Sequence, residues 1–321
     1  MSIKKVIDCI RKNNVFLITA HKNLEGDALG SEIAFACLLR KLGKTAIIVN
    51  QDSAPQEYRF LKGFKSVIKY RHNMKIKFDV LVMLDCTNKS RCGYVLNLAR
   101  LNQPIINIDH HISNTKFGNI NWVLPDASSA AELVYQLYKA MDVKIDADSA
   151  RAIYTGILTD TGSFRHLNTT SLTHQIAAEL LKFKLSAAKI YQNIYESVSF
   201  SDISLLSKIL LSLKRHASGK IITAELKRGA LKGRSVHFDL TENILNFARL
   251  IRGGEVCILF REQGDNPRQT RVNFRSRGKI DVNRIAQSFG GGGHKTASGC
   301  VIKGSLEKAR RQVIQKIKEY L

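Results

Sequence analysis

Two periodicities divide the chain. Short unbroken apolar runs ("VFLITA", "TAIIVN", "DVLVMLD" and "PIINID") have the length of buried strands, while apolar residues recurring every three to four positions mark helices. The opening segment is apolar at Ile3, Val6, Ile7 and Ile10, which is one helix face, and "ALGSEIAFACLLRKLGK" repeats that spacing between the first two strands. Strands separated by helices predict βαβ units and a mainly parallel sheet. Helical patterns then follow one another in "SSAAELVYQLYKAM", "DADSARAIYTGILTD", "SLTHQIAAELLKF" and "SAAKIYQNIYES". "SDISLLSKILLSLKRH" predicts one more helix, apolar at Ile203, Leu206, Ile209, Leu210 and Leu213. Alternation then restarts with "KIITAEL", "LTENILNFARLIRG", "EVCILF", "TRVNFRS", "DVNRIAQSF" and "ASGCVIK", and ends on the helix "SLEKARRQVIQKIKEYL". Only a short polar link separates "EVCILF" from "TRVNFRS", so this second sheet is expected to be mixed.

The fold class is therefore α/β: an N-terminal parallel-sheet domain over 1–185, a helical linker over 186–213 and a smaller mixed-sheet α/β domain over 214–321. A length of 321 residues suits two domains of roughly 100–200 residues each. No apolar run approaches the ~18 residues of a membrane span, and the opening helix lacks a signal-peptide core. A soluble cytoplasmic protein with no membrane partner is expected, with a homodimer left open. The six cysteines are dispersed without a CxxC pair, which argues against structural zinc and disulfides. Charge adds a further expectation: Lys and Arg number 50 against 27 Asp and Glu, a net of +23. From Leu213 onward there are 23 basic and nine acidic residues, so the second domain is the more basic, as befits a polyanionic partner such as nucleic acid or nucleotides. A lysine-rich composition serving solubility is the plainer explanation.

Four segments of the first domain end an apolar strand or helix on titratable groups. "LITAHKNLEGDALGS" carries His21, Glu25 and Asp27; "VLVMLDCTNKSR" carries Asp85; "NIDHH" carries Asp109, His110 and His111; "GILTDTGSFRH" carries Asp160. Each alone has an ordinary explanation: His21 or Asp27 as a helix cap, Asp85 as an exposed strand end, His110 as a core histidine, Asp160 in a turn. Together they differ, because strand ends of an open α/β sheet converge on one crevice, where gathered anions repel unless cations lie between them. Carboxylate and imidazole ligands suit manganese or magnesium. About six ligands exceed the needs of one ion and fit a pair roughly 3.5–4 Å apart.

"HKNLEGDALGS", "LDCTNKSR", "IDHHISN" and "TDTGSF" resemble, in order and spacing, the signature segments of DHH phosphoesterases, and "RVNFRSRGKIDVNRIAQSFGGGGHKTASG" is similar to the substrate-binding signature of the DHH-associated domain. Length and the short connection are most similar to the NrnA-like branch of oligoribonucleases and 3'-phosphoadenosine-5'-phosphate (pAp) phosphatases. The resemblance implies two divalent cations, manganese before magnesium. His21, Glu25 and Asp85 would hold the first; Asp27, Asp85, His110 and Asp160 would hold the second. Asp109 would orient an imidazole, and His111 would contact the scissile phosphate or the leaving oxygen. Glu25 departs from the family's usual aspartate by one methylene, and altered affinity at the first ion is expected.

In the second domain the glycines of "GGGGH" allow close approach of backbone amides to an anion. Gly291, Gly292, Gly293 and His294 are thus candidates for gripping substrate, with Arg275 as a phosphate fork. Arg277 and Lys279 could equally be surface charges. Arg91 matches the family's usual arginine, and Arg165 and His166 follow "GSF" as weaker candidates. The expected activity is hydrolysis of short RNA and pAp, short substrates being favoured by a cleft between two lobes. A cyclic-dinucleotide or pApA phosphodiesterase, a pyrophosphatase, and a nucleic-acid-binding protein with a weakened site are the alternatives.

Overall fold

The computed structural model describes residues 3–100, 102–231, 240–263 and 268–321. The chain divides into two compact units, 1–196 and 197–321. In the first, α1 (Ile3–Lys12), β1 (Val15–Thr19), α2 (Gly26–Lys41), β2 (Thr45–Asn50) and β3 (Val67–Lys69) precede β4 (Val80–Leu84), β5 (Ile105–Asp109) and β6 (Ile120–Val123). Four helices follow: α3 (Ala130–Ala140), α4 (Ala147–Asp160), α5 (Ser171–Leu181) and α6 (Ala187–Tyr195). The six strands form one wholly parallel sheet in the order β3-β2-β1-β4-β5-β6.

The unbroken apolar runs have a direct cause. Phe16 and Ile18 of β1 face one core with Leu29 and Ile33 of α2, Val134 of α3 and Ile153 of α4, while Leu17 faces a second core with Val49, Leu81, Met83, Cys92 and Val95. A parallel strand covered on both faces has no position left for a polar residue. The short strands β3 and β6 carry no such run and escape a pattern-based reading.

In the second unit α7 (Phe200–Leu210), β7 (Lys214–His216), β8 (Ile221–Leu226), α8 (Leu240–Arg249), β9 (Val256–Glu262) and β10 (Gln269–Ser276) come first. Then come α9 (Val282–Gln287), β11 (Gly292–Gly293), β12 (Ala297–Lys303) and α10 (Leu306–Lys318). The sheet order is β11-β12-β10-β9-β8-β7, with β8 and β9 parallel and the other pairs antiparallel, a mixed sheet as expected. Residues 264–267 of the polar link between β9 and β10 lie outside the described residues.

At the start of the second unit the expected single helix over 201–216 is corrected. α7 ends at Leu210, and Lys214–His216 instead pairs with β8, because the ladder of an adjacent strand outweighs the local helical spacing. Leu205, Leu206 and Ile209 of α7 join the core of the second unit, whereas Ile190 of α6 joins that of the first. No helix among the described residues is long and apolar enough to cross a membrane.

Helices α2 and α4 approach closely through glycines. A Cβ on Gly30 would strike the carbonyl oxygen of Ala152, and one on Gly156 would lie 2.5 Å from Ala131 Cβ and 2.8 Å from Asp27 Oδ1. Gly30→Ala gains about 1 kcal/mol of helix propensity. The overlap with rigid backbone, costing about 3 kcal/mol at the upper end of overpacking, should outweigh that gain and leave a net loss of about 2 kcal/mol. Urea unfolding checks this; an unchanged or higher midpoint would show that the helices can separate freely.

Candidate metal centre

The order of the sheet gathers the titratable groups. The chain runs outward from β1 to β2 and β3, then returns to lay β4 on the other side of β1, so β1 and β4 are neighbours where the winding direction reverses. Loops leave such neighbours in opposite directions and open a crevice at their carboxyl ends. His21 lies just past β1, Asp85 directly after β4, and Asp109, His110 and His111 at the end of β5. Asp27 sits in the first turn of α2 and Asp160 ends α4.

These residues form three groups whose ligand atoms lie within 4.8 Å of one another: His21, Glu25 and Asp85; Asp27, His110 and Asp160; and Asp85, Asp109, His110 and His111. His21 Nε2 is 3.2 Å from Asp85 Oδ2 and 3.6 Å from Glu25 Oε1. His110 Nε2 stands 3.6 Å from Asp85 Oδ1, 3.7 Å from Asp160 Oδ2 and 3.8 Å from Asp27 Oδ2, all longer than a good hydrogen bond. Asp85 thus faces both sets, one through each oxygen. Glu25 is the outermost member: it precedes α2 with an extended backbone, and its side chain is 56% exposed.

The surrounding chain holds this arrangement under strain. Asp85 has φ +53, a left-handed conformation that few non-glycine residues adopt. Its N–H donates to Ile108 O, and the next carbonyl, of Cys86, accepts from the side-chain amides of Asn107 and Asn114. Asn114 Nδ2 also donates to Asp109 Oδ2 at 2.5 Å, and Asp109 Oδ1 is 2.8 Å from His111 Nδ1. His110 Nδ1 lies 3.2 Å from Ala127 O, and Asn168 donates to Asp160 Oδ2 at 3.0 Å. Neither His21 nor Asp27 caps α2, which has no side-chain cap. Asp27 instead accepts from the N–H groups of Ala130 (2.7 Å) and Ala131 (2.9 Å), so it caps α3 across the crevice.

Asn50, Asn107, Asn114 and Asn168 escape the sequence reading. The pattern used for the acids would have found Asn50, since "TAIIVN" also ends an apolar strand on a polar residue; Asn168 lies in a turn with no such pattern. Asn50 Oδ1 accepts from the N–H of Ala20 and its amide donates to Glu32, which fixes the end of β1 next to His21.

Charge in the crevice is poorly balanced. Desolvation favours the neutral acid at Asp85, yet the imidazoles of His110 and His21 hold it well below the usual carboxylate range. Burial, then Asp85 and Asp160, push Asp27 well above that range. Asp160 rises to about 6 through burial, with Glu25 and Asp85 adding to the shift and His110 opposing it. Burial disfavours the cationic form of His21 and His110, but the surrounding acids raise both well above an ordinary imidazole. Asp85 Oδ1 is buried without a hydrogen-bond partner. Five carboxylates and three imidazoles, with one buried carboxylate oxygen lacking a hydrogen bond, fit hard divalent cations in place of shared protons.

The remaining candidates are placed differently. Arg91 is exposed, and its backbone carbonyl accepts from the N–H of Lys22 at 2.7 Å beside His21. Arg165 Nε donates to Gly162 O within its own turn, and His166 Nδ1 lies 3.2 Å from the backbone oxygen of Asp160. In the second unit the guanidinium of Arg275, expected as a phosphate fork, is paired with Glu242 of α8 and donates to Phe274 O. Arg277 bonds the carbonyls of Arg249 and Ile251, and Lys279 reaches Glu255 from an exposed position.

The glycine run, expected to grip substrate, has several of its amides bonded within the unit. The amides of Gly290, Gly291 and His294 bond Gln287 O, Ala286 O and Ala297 O. Gly291 and Gly293 allow close packing on β12, where a Cβ on Gly293 would meet Ala297 O at 2.5 Å. Gly292 and Gly293 form the edge strand β11, so one of the two directs its backbone groups away from β12.

Comparison with known proteins identifies the family and the fold. Residues 15–157 match the DHH family N-terminal domain and 218–321 the DHHA1 domain. The bifunctional oligoribonuclease and PAP phosphatase NrnA of Thermus thermophilus is 31% identical over 95% of this chain and 89% of its own length. Its namesake from Bacillus subtilis is 26% identical over 93% and 92%. A crystal structure of an exopolyphosphatase-related protein from Bacteroides fragilis has a TM-score of 0.88 at 26% identity, over 99% of this chain and 96% of that one.

Glu32 of α2 offers a check on the dryness of this region. Burial pushes its pKa to about 8, against the hydrogen bond from Asn50, and its Oε1 lacks a partner. The folded chain therefore holds a proton that the unfolded chain releases near 4.5. The resulting stabilisation is complete below that value and is lost as pH rises through about 8. Glu32→Gln, which cannot ionise, should gain on the wild type as pH rises from about 5 to about 8.5 in the metal-free chain. Urea midpoints at both values test this; a constant difference would mean that Glu32 is already ionised.

Proposed function

Because the chain belongs to the DHH family, with a DHHA1 domain after the first, we propose that it is a metal-dependent phosphoesterase hydrolysing short oligoribonucleotides and pAp. The observation that carries this reading is Asp85, whose two oxygens face two ligand groups at once. The printed activities of the Thermus and Bacillus relatives support the substrates.

His21, Glu25 and Asp85 would hold one cation, and Asp27, Asp85, His110 and Asp160 the other. Manganese suits this mixed set of nitrogen and oxygen ligands, with magnesium second. Bound there, the cations would lower the pKa of water and neutralise charge on a phosphoryl oxygen. The protein's own part is positional. Asp109 fixes the ring of His111 through Nδ1, so His111 is assigned to the phosphate or the leaving oxygen through its other nitrogen. Asn114 keeps Asp109 from turning, and Asn168 does the same for Asp160. His294, Gly292 and the basic second unit are assigned to substrate retention.

Phosphate release from pAp and cleavage of an end-labelled diribonucleotide, with manganese and after chelation, test the reading. Turnover of both that is lost on chelation is expected; hydrolysis of neither would overturn it. Asp85→Ala should lower turnover by more than about a thousandfold, beyond the loss of one oxyanion donor, and empty both cation sites on elemental analysis. His294→Ala should raise KM about tenfold, the worth of one charged hydrogen bond, and leave metal content intact. Loss of metal in that variant would contradict its assignment to substrate.

A further inference from the structure

Beyond the crevice, the 3-10 segment Lys89–Leu98 lies across the carboxyl ends of β1 and β2. Two bonds place it: Lys22 N–H to Arg91 O at 2.7 Å, and Tyr94 N–H to Gln51 Oε1 at 2.8 Å. Gly93, at φ +66, permits the second, since a Cβ there would lie 2.5 Å from Gln51 Oε1. Tyr94 is thereby held over Tyr70, with ring centroids 6.3 Å apart and planes inclined by 30°. Tyr70 is itself anchored by its N–H to Asn50 O at 2.7 Å and packs on the second core of the sheet.

Tyr94 is 65% exposed, so it contributes little to that core. A large aromatic fixed at its backbone, backed by a second ring and open to solvent has the form of a stacking platform. Lys22, Arg71 and Arg91 are exposed on the same edge, and none makes a side-chain ion pair among the described residues. The acids near them are Asp52, whose carboxylate accepts the N–H of Asn23, and Glu25 of the crevice. Cations interleaved with aromatic rings are the combination that binds single-stranded nucleic acid without reading its sequence. β2 and β4 are two strands apart, about 10 Å at the usual spacing, so the platform lies about one or two nucleotides from Asp85.

We propose that Tyr94, backed by Tyr70 and flanked by Arg91 and Lys22, stacks a second nucleobase of an RNA substrate, away from the scissile phosphate. The proposal rests on the phosphoesterase reading and adds what separates an oligonucleotide from pAp, which has one base and does not reach the platform. Tyr94→Ala should raise KM for a tetraribonucleotide about tenfold with kcat unchanged, and should leave the KM for pAp unaltered. Tyr94→Phe, which keeps the ring and loses the hydroxyl, should restore the tetranucleotide KM.

An unchanged tetranucleotide KM in Tyr94→Ala, or equal changes for both substrates, would overturn the platform. Anisotropy of a labelled tetranucleotide in chelator measures the same contact without turnover. A wild type that binds RNA through Tyr94 but hydrolyses nothing would overturn the proposed activity and leave the platform standing.

Discussion

The first unit is organised around the enclosed negative charge at Asp85. Its carboxylate is buried, one oxygen toward His21 and the other toward His110 and His111. The second oxygen has no hydrogen bond. An enclosed anion of this kind costs several kcal/mol unless cations compensate it, and here the imidazoles of His21 and His110 do so in part, at a place where a divalent cation would do so more fully. The left-handed backbone at Asp85 adds a cost of order 1–3 kcal/mol, offset by the amides of Asn107 and Asn114 that clamp the following carbonyl.

Other features follow from the need to bring more acids to the same place. Asp27 and Asp160 come from two helices that cross at Gly30 and Gly156, where any side chain would hold the backbones apart. Asp27 also ties α2 to the first N–H groups of α3, so one carboxylate serves both the fold and the crevice. Two backbone donors and the positive end of a helix dipole offset part of the cost of burying it. Packing and chemistry are coupled here, and the tight helix pair is a requirement of the site as much as of the core.

The second unit works on different terms. It has an excess of basic residues, of which Arg275 and Arg277 are committed to neighbours within the unit. Its glycine run packs an edge strand closely, with backbone rather than side chains at the margin of the sheet. In the first unit, the Tyr94 edge combines cations with an exposed ring.

The amino-acid sequence by itself determined the parallel sheet, the mixed second sheet and the acids of the crevice. Strands covered on both faces must be apolar throughout, and a functional group can appear only where such a run stops. The same rule marks His21, Asp85 and Asp109. Tertiary structure alone decided that Asp27 caps a helix more than a hundred residues away and that Lys214–His216 joins a sheet. It also decided that Arg275 is already paired and that Tyr94 lies across the ends of two strands. Those outcomes depend on contacts between segments far apart along the chain, and local spacing carries no record of which distant partner a side chain will meet.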